Sequence, residues 1–210
     1  MTFPIVIAGV DEVGIGCIAG PVIAAAVSFR GDFPAGIAHR LNDSKKINSK
    51  TRENLYKILV HSPDVHIGVS GASVQEIYTL NIKKAAFLAM QRAIKKLPFS
   101  PNLILVDGLS SPVFDCASQP IVKGDGLSHS IAAASIIAKV VRDRLMKKLA
   151  QRWSNFGWER NVGYPTAFHK NALKKHGMTP YHRQGYITIK QLSFGIMSEH
   201  SEAAIMSKNL

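Results

Sequence analysis

The sequence lacks the features that mark membrane-spanning and secreted proteins. No run approaches the roughly 18 apolar residues that a membrane span requires, and no basic region precedes the apolar stretch near the N-terminus. The chain has 2 cysteines, Cys17 and Cys116, which cannot form a disulfide framework and do not lie in a metal-type Cys-x-x-Cys pair. We therefore expect a cytoplasmic protein with buried thiols and no contact with a membrane.

Acidic residues are also scarce. Asp and Glu number 14 against 26 Lys and Arg, which gives a formal net charge of +12. A basic excess favours a polyanionic partner, because each neutralised phosphate releases counterions, although a generally basic surface would give the same total. The carboxylates fall at a few strand ends, whereas Lys and Arg cluster in other segments. This separation suits a metal-dependent enzyme that acts on phosphates.

Predicted strands and helices alternate along the 210 residues and indicate one α/β core. The predicted strands are at 5–10, 19–29, 65–72, 103–106 and 120–122. The predicted helices are at 49–59, 82–97, 131–148 and 167–176. Thr179 is expected to open a further helix that carries His182 and Arg183.

The predicted helix at 131–148 changes character along its length. Its first residues are apolar enough to be buried on nearly every side. From Lys139 onward it carries basic residues, Arg142 and Arg144 among them, that we expect in solvent. Asp143 lies between those two arginines and is predicted to be a salt-bridge partner rather than a metal ligand.

Two adjacent carboxylates, Asp11 and Glu12, end the first apolar run. An unpaired buried charge is unfavourable and is normally neutralised by a partner or a metal, so we expect the pair to need a cation. Adjacent strand residues point to opposite faces. Both can therefore serve one ion only where the strand bends, and the turn Gly14-Ile15-Gly16 can supply that bend. A strand capped by solvated acids explains the same residues.

A later apolar run, 103–106, ends in the same way, with Asp107 followed by glycine. Because active sites in open α/β sheets form at the carboxyl ends of parallel neighbouring strands, Asp107 can lie beside Asp11. Asp125 follows in a glycine-flanked turn. Like charges gathered without a cation would repel one another, and the four carboxylates together suit one or two Mg²⁺ or Mn²⁺ ions.

Two further segments carry residues suited to phosphate or sugar contacts. The polar loop 41–46 includes Ser44 and Lys45, which can grip a phosphate or form a merely solvated turn. Tyr164, between a glycine and a proline, opens a basic helical region in which aromatic and cationic residues suit stacking and phosphate contacts. A helical cap over the sheet edge, with Tyr164 packed inside, fits the same pattern.

These motifs occur in the order and at the spacing of one family. The chain resembles ribonuclease HII, the type 2 ribonuclease H family, over nearly its whole length. The segments that carry the resemblance are Gly9-Val10-Asp11-Glu12-Val13-Gly14, Asn42-Asp43-Ser44-Lys45-Lys46, Val106-Asp107-Gly108, Lys123-Gly124-Asp125, the nine residues from Ala132 to Val140, Gly163-Tyr164-Pro165-Thr166 and His182-Arg183.

The resemblance implies a ribonuclease H-like fold, a mixed β-sheet flanked by helices, with a catalytic core at 1–160 and a small C-terminal helical substrate-binding segment at 161–210. It implies an endoribonuclease that cuts the RNA strand of RNA/DNA hybrids and the 5′ side of single ribonucleotides in duplex DNA. The expected products carry a 5′-phosphate and a 3′-hydroxyl. We expect two-metal hydrolysis with Mg²⁺ or Mn²⁺ and, since nothing in the sequence requires a dimer, a monomer.

The resemblance also implies roles for single residues. Asp11, Glu12, Asp107 and Asp125 match the metal-binding carboxylates. Tyr164 matches a tyrosine that stacks on the sugar after the ribonucleotide, and Ser44 and Lys45 match a polar loop near the substrate backbone.

One position departs from the family pattern. The family usually has Gly-Arg-Gly where this chain has Gly14-Ile15-Gly16. The resemblance implies that this loop senses the ribose 2′-hydroxyl largely through backbone groups, which Ile15 still supplies. The absent guanidinium puts a phosphate contact, and the strength of preference for isolated ribonucleotides, in question.

Two rival interpretations fit part of the pattern. Ribonuclease HIII shares the carboxylates but usually carries an extra N-terminal domain, and the first motif begins at Gly9, which leaves no room for one. A non-catalytic protein that binds hybrids would keep the fold, but the presence of all four carboxylates favours an enzyme.

Overall fold

Five strands form one mixed sheet within residues 5–31 and 47–186, the part of the chain that the computed structural model describes. The strands are β1 (Ile7–Val13), β2 (Val22–Phe29), β3 (Val65–Ala72), β4 (Leu103–Asp107) and β5 (Ala117–Ile121). The helices are α1 (Ser49–His61), α2 (Val74–Leu80), α3 (Ile82–Ile94), α4 (His129–Arg152), α5 (Trp158–Asn161) and α6 (Ala167–His176). None of the helices in these ranges has the length and apolar character that a membrane span requires.

The sheet order β3-β2-β1-β4-β5 places the predicted acidic strand ends side by side. β1 pairs with β4 in parallel, with Val10 opposite Val106, and β4 pairs with β5 in parallel. On its other side β1 pairs with β2 in antiparallel orientation. The carboxyl ends of β1, β4 and β5 therefore meet at one edge of the sheet, as predicted for Asp11 and Asp107.

β1 extends further than its apolar run predicted. The strand continues through Asp11 and Glu12 to Val13, because β2 still pairs there, with Asp11 opposite Ala25. The pairing with β4 stops at Val10. The two acids therefore lie on a strand that is paired on one side only, rather than in a loop.

Helices cover both faces of the sheet. On one face, β1, β2 and β4 pack against α3 through a cluster that includes Met90. On the other face, α4 packs so closely on β1 that a Cβ at Gly9 would lie 2.2 Å from the carbonyl carbon of Ser130. Glycine is required at that position, and the alanine-rich start of α4 permits the same close approach.

A third apolar cluster joins the end of α4 to α5 and α6. Trp158 and Leu173 are buried in it together with Met146. The part of the predicted C-terminal segment that the structure describes thus packs on the core, and the boundary at residue 160 stays a prediction.

Arg142 contradicts its prediction, because it does not emerge into solvent. Its side chain is fully buried, and its guanidinium donates hydrogen bonds to the carbonyls of Pro21 at 2.9 Å, Val162 at 2.8 Å and Ala19 at 3.0 Å. These carbonyls lie in loops that α4 meets only in the folded chain. A guanidinium with several carbonyl acceptors can be buried without an acidic partner.

The helix predicted from Thr179 is also wrong. Residues 180 and 181 form a turn, and His182 makes a β-bridge with Ala19. The hydroxyl of Thr179 accepts a hydrogen bond from the N–H of Tyr181 at 3.2 Å. Side-chain bonds of this local kind compete with the hydrogen bonds of a helix.

Candidate active site

Three of the four predicted carboxylates line one cavity at the carboxyl ends of β1 and β4. The cavity has a volume of about 350 Å³, and Asp11, Glu12 and Asp107 border it together with Tyr164. We call it the carboxylate cavity. Its other lining residues are Val13, Arg52, Ser135, Ile136 and Lys139.

Asp11 and Glu12 reach the cavity from opposite faces of β1. Asp11 is buried against α4, where its carboxylate is hydrogen-bonded by Ser135. The N–H of Glu12 donates to Oδ1 of Asp11 at 2.7 Å. Glu12 also borders a smaller pocket on the α3 side of the sheet, with a volume of about 170 Å³. Both carboxylates thus serve one cavity at the end of the strand, before Gly14 turns the chain.

Burial raises the pKa of Asp11 well above that of a free aspartate. The negative charges of Glu12 and Asp107 raise it further, against hydrogen bonds from Ser135 and from the N–H of Glu12 that lower it. The charged form of Asp11 is therefore disfavoured until a cation compensates it.

The donor set suits a hard divalent cation. Mg²⁺ and Mn²⁺ prefer oxygen ligands, and Asp11, Glu12 and Asp107 offer only carboxylate oxygens. Among the described residues, no three acidic, histidine or cysteine side chains are already grouped closely enough to hold one ion. The residues therefore fit such an ion in their chemistry, without a preformed cage of ligands.

Asp125 lies beside the cavity rather than in its described lining. It is buried in a 3₁₀ turn, Gly124–Gly126, that follows β5. The N–H of Gly124 donates to Oδ1 of Asp107 at 2.7 Å. This bond places the turn that carries Asp125 next to Asp107 at the end of β4.

The glycine loop lies beside Tyr164, which lines the cavity. Gly14 has φ 104°, and a Cβ there would lie 2.3 Å from Nε of Arg142, so only glycine fits. A Cβ at Gly16 would lie 3.6 Å from Cε1 of Tyr164. Both Tyr164 and Ile15 are exposed, at 40 % and 41 %. Tyr164 is therefore not packed inside a helical cap.

The sequence did not identify three polar residues of the cavity, Arg52, Ser135 and Lys139. Ser135 and Lys139 are four residues apart on α4 and so share a face, and the serine interrupts an apolar run, which is the signal that could have found them. Arg52, on α1, has no such signal.

Asp143 is a salt-bridge partner, as predicted. Its carboxylate pairs with Lys139 at 2.8 Å, rather than with either neighbouring arginine. The other predicted contacts to substrate, Ser44 and Lys45, lie outside the described residues.

Comparisons with known proteins agree with the motifs. The family model for ribonuclease HII matches residues 8–193. The chain is 50 % identical over 187 residues to ribonuclease HII of Granulibacter bethesdensis, and the match covers 89 % of this chain and 85 % of the relative.

Solved structures agree on the fold. The crystal structure of ribonuclease H2 from Pyrococcus horikoshii OT3 superposes with a TM-score of 0.75 at 25 % identity, covering 92 % of this chain and 99 % of that one. Bst-RNase HIII in complex with Mn²⁺ superposes with a TM-score of 0.74 at 20 % identity, covering 91 % of this chain and 70 % of that one. The predicted mixed α/β sheet is confirmed. The chain belongs to the ribonuclease HII family and is a metal-dependent ribonuclease.

Proposed function

We propose that this ribonuclease hydrolyses the RNA strand of RNA/DNA hybrids and cuts on the 5′ side of single ribonucleotides in duplex DNA, leaving 5′-phosphate and 3′-hydroxyl ends. The observation that carries the proposal is the carboxylate cavity, in which Asp11, Glu12 and Asp107 meet Tyr164. A negative centre within a chain of net charge +12 suits an ion-assisted reaction on a polyanion.

Asp11, Glu12, Asp107 and Asp125 are the residues that would hold Mg²⁺ or Mn²⁺, with two ions present when substrate is bound. Such ions lower the pKa of an attacking water and stabilise the charge on the departing 3′-oxygen. The protein's own part is to hold these carboxylates close together. The raised pKa of Asp11 supports this role, because repulsion by Glu12 and Asp107 adds to the effect of its burial, and a bound cation would offset that repulsion.

Selection for ribose is assigned to Tyr164, which lines the cavity, and to the neighbouring glycine loop. We call Gly14, Ile15, Gly16 and Tyr164 the ribose-reading site. Backbone groups of the glycine loop can approach a 2′-hydroxyl, since Gly14 and Gly16 have no side chains to hold a ligand away. The ring of Tyr164 lies against Gly16 and is open enough to stack on the following sugar.

Affinity is assigned to cations near the cavity and in the flanking segments. Arg52 and Lys139 line the carboxylate cavity and can meet substrate phosphates. Ser44 and Lys45 are assigned the same kind of contact. Binding by such residues falls as salt rises, because counterions no longer gain entropy on release. The cytoplasmic location and the monomeric state stay predictions from the sequence.

The test is cleavage of three end-labelled duplexes of one sequence, an RNA/DNA hybrid, an all-DNA duplex and an all-RNA duplex. Each is incubated with Mg²⁺, with Mn²⁺ or with chelator. We expect cutting of the RNA strand of the hybrid with at least one metal and none with chelator. Equal cutting of the all-RNA duplex, or hybrid cutting that survives chelation, would contradict the proposal.

A further inference from the structure

The segment Thr179–Arg183 packs against the loop that carries half of the ribose-reading site. Its backbone pairs with the loop that follows β1: the N–H of Arg183 donates to the carbonyl of Ile18 at 2.9 Å, and the N–H of Gly20 donates to the carbonyl of Tyr181 at 2.8 Å. A stretch more than 160 residues along the chain is thus joined to the glycine loop.

The side chain of Arg183 holds the carbonyls of that loop. It is buried, with 1 % of its surface exposed. Its Nε donates to the carbonyl of Gly20 at 2.9 Å, and its Nη1 lies 3.1 Å from the carbonyl of Ile15 and 2.7 Å from that of Cys17. A planar guanidinium can bind these acceptors at once, whereas the point charge of a lysine cannot.

The neighbouring His182 reaches the other half of the reading site through a second histidine. Nδ1 of His182 accepts from the N–H of Thr179 at 2.9 Å, so its hydrogen is on Nε2, which lies 3.0 Å from Nε2 of His169. That atom of His169 also accepts from the indole N–H of Trp158 at 3.0 Å. The hydrogen of His169 is therefore on Nδ1, and it donates to the carbonyl of Tyr164 at 2.8 Å. We call these contacts the histidine relay.

The histidine relay has one hydrogen arrangement because both rings are neutral. Burial lowers the pKa of His169. Burial, and then the nearby His169, lower the pKa of His182 to about 3. Near neutral pH, neither ring carries the second hydrogen that would remove an acceptor from the chain of bonds.

We infer that His182 and Arg183 are positioning residues for ribose recognition, His182 acting on Tyr164 through His169 and Arg183 acting on the glycine loop through its carbonyls. The two halves that they hold are neighbours, since a Cβ at Gly16 would lie 3.6 Å from the ring of Tyr164. The inference rests on the proposed function, because it needs the reading site to read ribose. A displacement of about 1 Å in such a site can cost about a hundredfold in rate.

Two variants test the inference, Arg183→Lys and His182→Asn. Arg183→Lys keeps the positive charge but loses the planar guanidinium whose N–H groups bind several carbonyls at once. The second keeps an acceptor where Nδ1 lies and loses the donor toward His169. The matched control is Leu173→Ala, which removes a buried side chain from the apolar cluster around Trp158 and leaves the residues of the reading site and of the histidine relay unchanged.

The measurement is kcat/KM on a duplex with one embedded ribonucleotide, divided by kcat/KM on a continuous hybrid. Loss of folded enzyme lowers both values equally and cancels in the ratio. An embedded ribonucleotide offers a single 2′-hydroxyl, whereas a hybrid offers one at every step, so misplacement of the reading site should harm the first substrate more. We expect both variants to lower the ratio about tenfold or more, with Leu173→Ala leaving it at the wild-type value.

Ratios equal to those of the Leu173→Ala control would overturn the inference. It would also be overturned if both variants unfolded at the assay temperature while the control did not, because the segment would then support the fold as a whole. A wild-type enzyme that cannot cut the embedded ribonucleotide would instead contradict the proposed function. The two failures are therefore distinguishable.

Discussion

The N–H of Gly124 donates a hydrogen bond to Oδ1 of Asp107 at 2.7 Å, which joins the end of β4 to the turn that carries Asp125. This contact explains how Asp125, in a turn after β5, comes to lie near Asp107 at the end of β4. Strand order brings Asp107 to the same edge of the sheet as Asp11, and one backbone donor joins the turn to Asp107. Replacing Asp107 by asparagine removes the negative charge but keeps a side-chain oxygen that can accept the hydrogen bond from the N–H of Gly124.

Asp107→Asn should therefore fold, bind hybrid and fail to cut it. Replacement of groups that only support metal ligands costs about 10- to 100-fold, so loss of a ligand charge should lower kcat about a hundredfold or more. Single-turnover cleavage and a gel-shift assay in chelator give the two quantities. Asp115→Asn, at an exposed acid outside the cavity lining, is the control. Retained turnover in Asp107→Asn would remove Asp107 from the site.

Asp11→Asn should stabilise the protein when no metal is present. Because the folded pKa of Asp11 is raised, the folded state holds its proton where the unfolded state has lost it. The free energy of unfolding therefore falls as pH rises from the ordinary aspartate pKa toward the raised one, and the whole loss of stability is present above both pKa values. An asparagine at position 11 carries no charge and so avoids that loss.

Thermal unfolding in chelator at neutral pH measures the effect. We expect Asp11→Asn to raise Tm by a few degrees, since about 1 kcal/mol shifts Tm by about 2–4 °C for a chain of this size. Added Mn²⁺ should raise Tm in the wild type and much less in the variant. A lower Tm for the variant in chelator would contradict the electrostatic description of the cavity.

Ile15→Arg should strengthen substrate binding mainly at low salt. Ile15 is 41 % exposed, so the longer side chain can extend into solvent beside the substrate backbone. One added phosphate contact should steepen the plot of log binding constant against log salt concentration by about one. Ile15→Gln, of similar reach without charge, should leave the slope unchanged. An equal slope for Ile15→Arg and Ile15→Gln would show that position 15 does not face a phosphate.

Much of the fold follows from local patterns. The apolar runs of β1 and β4 and the acids that end them are adjacent in sequence, so strand order alone brings Asp11 and Asp107 together. A local pattern also starts α2, where Ser73 and Glu76, three residues apart, form a capping box.

What the sequence could not indicate depends on partners far along the chain. Arg142 looks like a surface residue of a basic helix, yet its guanidinium binds carbonyls as many as 123 positions away. His182 and Arg183 look like part of a basic helix for the same reason. The side chain of Arg183 binds backbone carbonyls, and a carbonyl has no residue type that a sequence pattern can show. His182 instead pairs with His169, which lies 13 positions away in another predicted helix.

Tyr164→Phe and Tyr164→Ala separate the contribution of the aromatic ring from that of the hydroxyl. Phenylalanine keeps the ring surface against Gly16, so cleavage of an embedded ribonucleotide should stay within a few-fold of the wild type. Alanine removes a stacking surface of the kind worth about 1–3 kcal/mol, so kcat/KM should fall about tenfold or more. Steady-state kinetics on one duplex decide the matter. An equal loss in both variants would assign the role to the hydroxyl instead of the ring.

The position of the cut at one embedded ribonucleotide tests the central claim most directly. A DNA duplex with a single ribonucleotide, labelled at either end of that strand, is incubated with Mn²⁺ or with chelator. The products are compared with size markers and tested for ligatable 3′-hydroxyl ends. We expect one metal-dependent cut on the 5′ side of the ribonucleotide, with a 3′-hydroxyl on the upstream fragment. A cut on its 3′ side that leaves a 2′,3′-cyclic phosphate would show that the 2′-hydroxyl is the attacking group and would contradict metal-assisted attack by water in the carboxylate cavity.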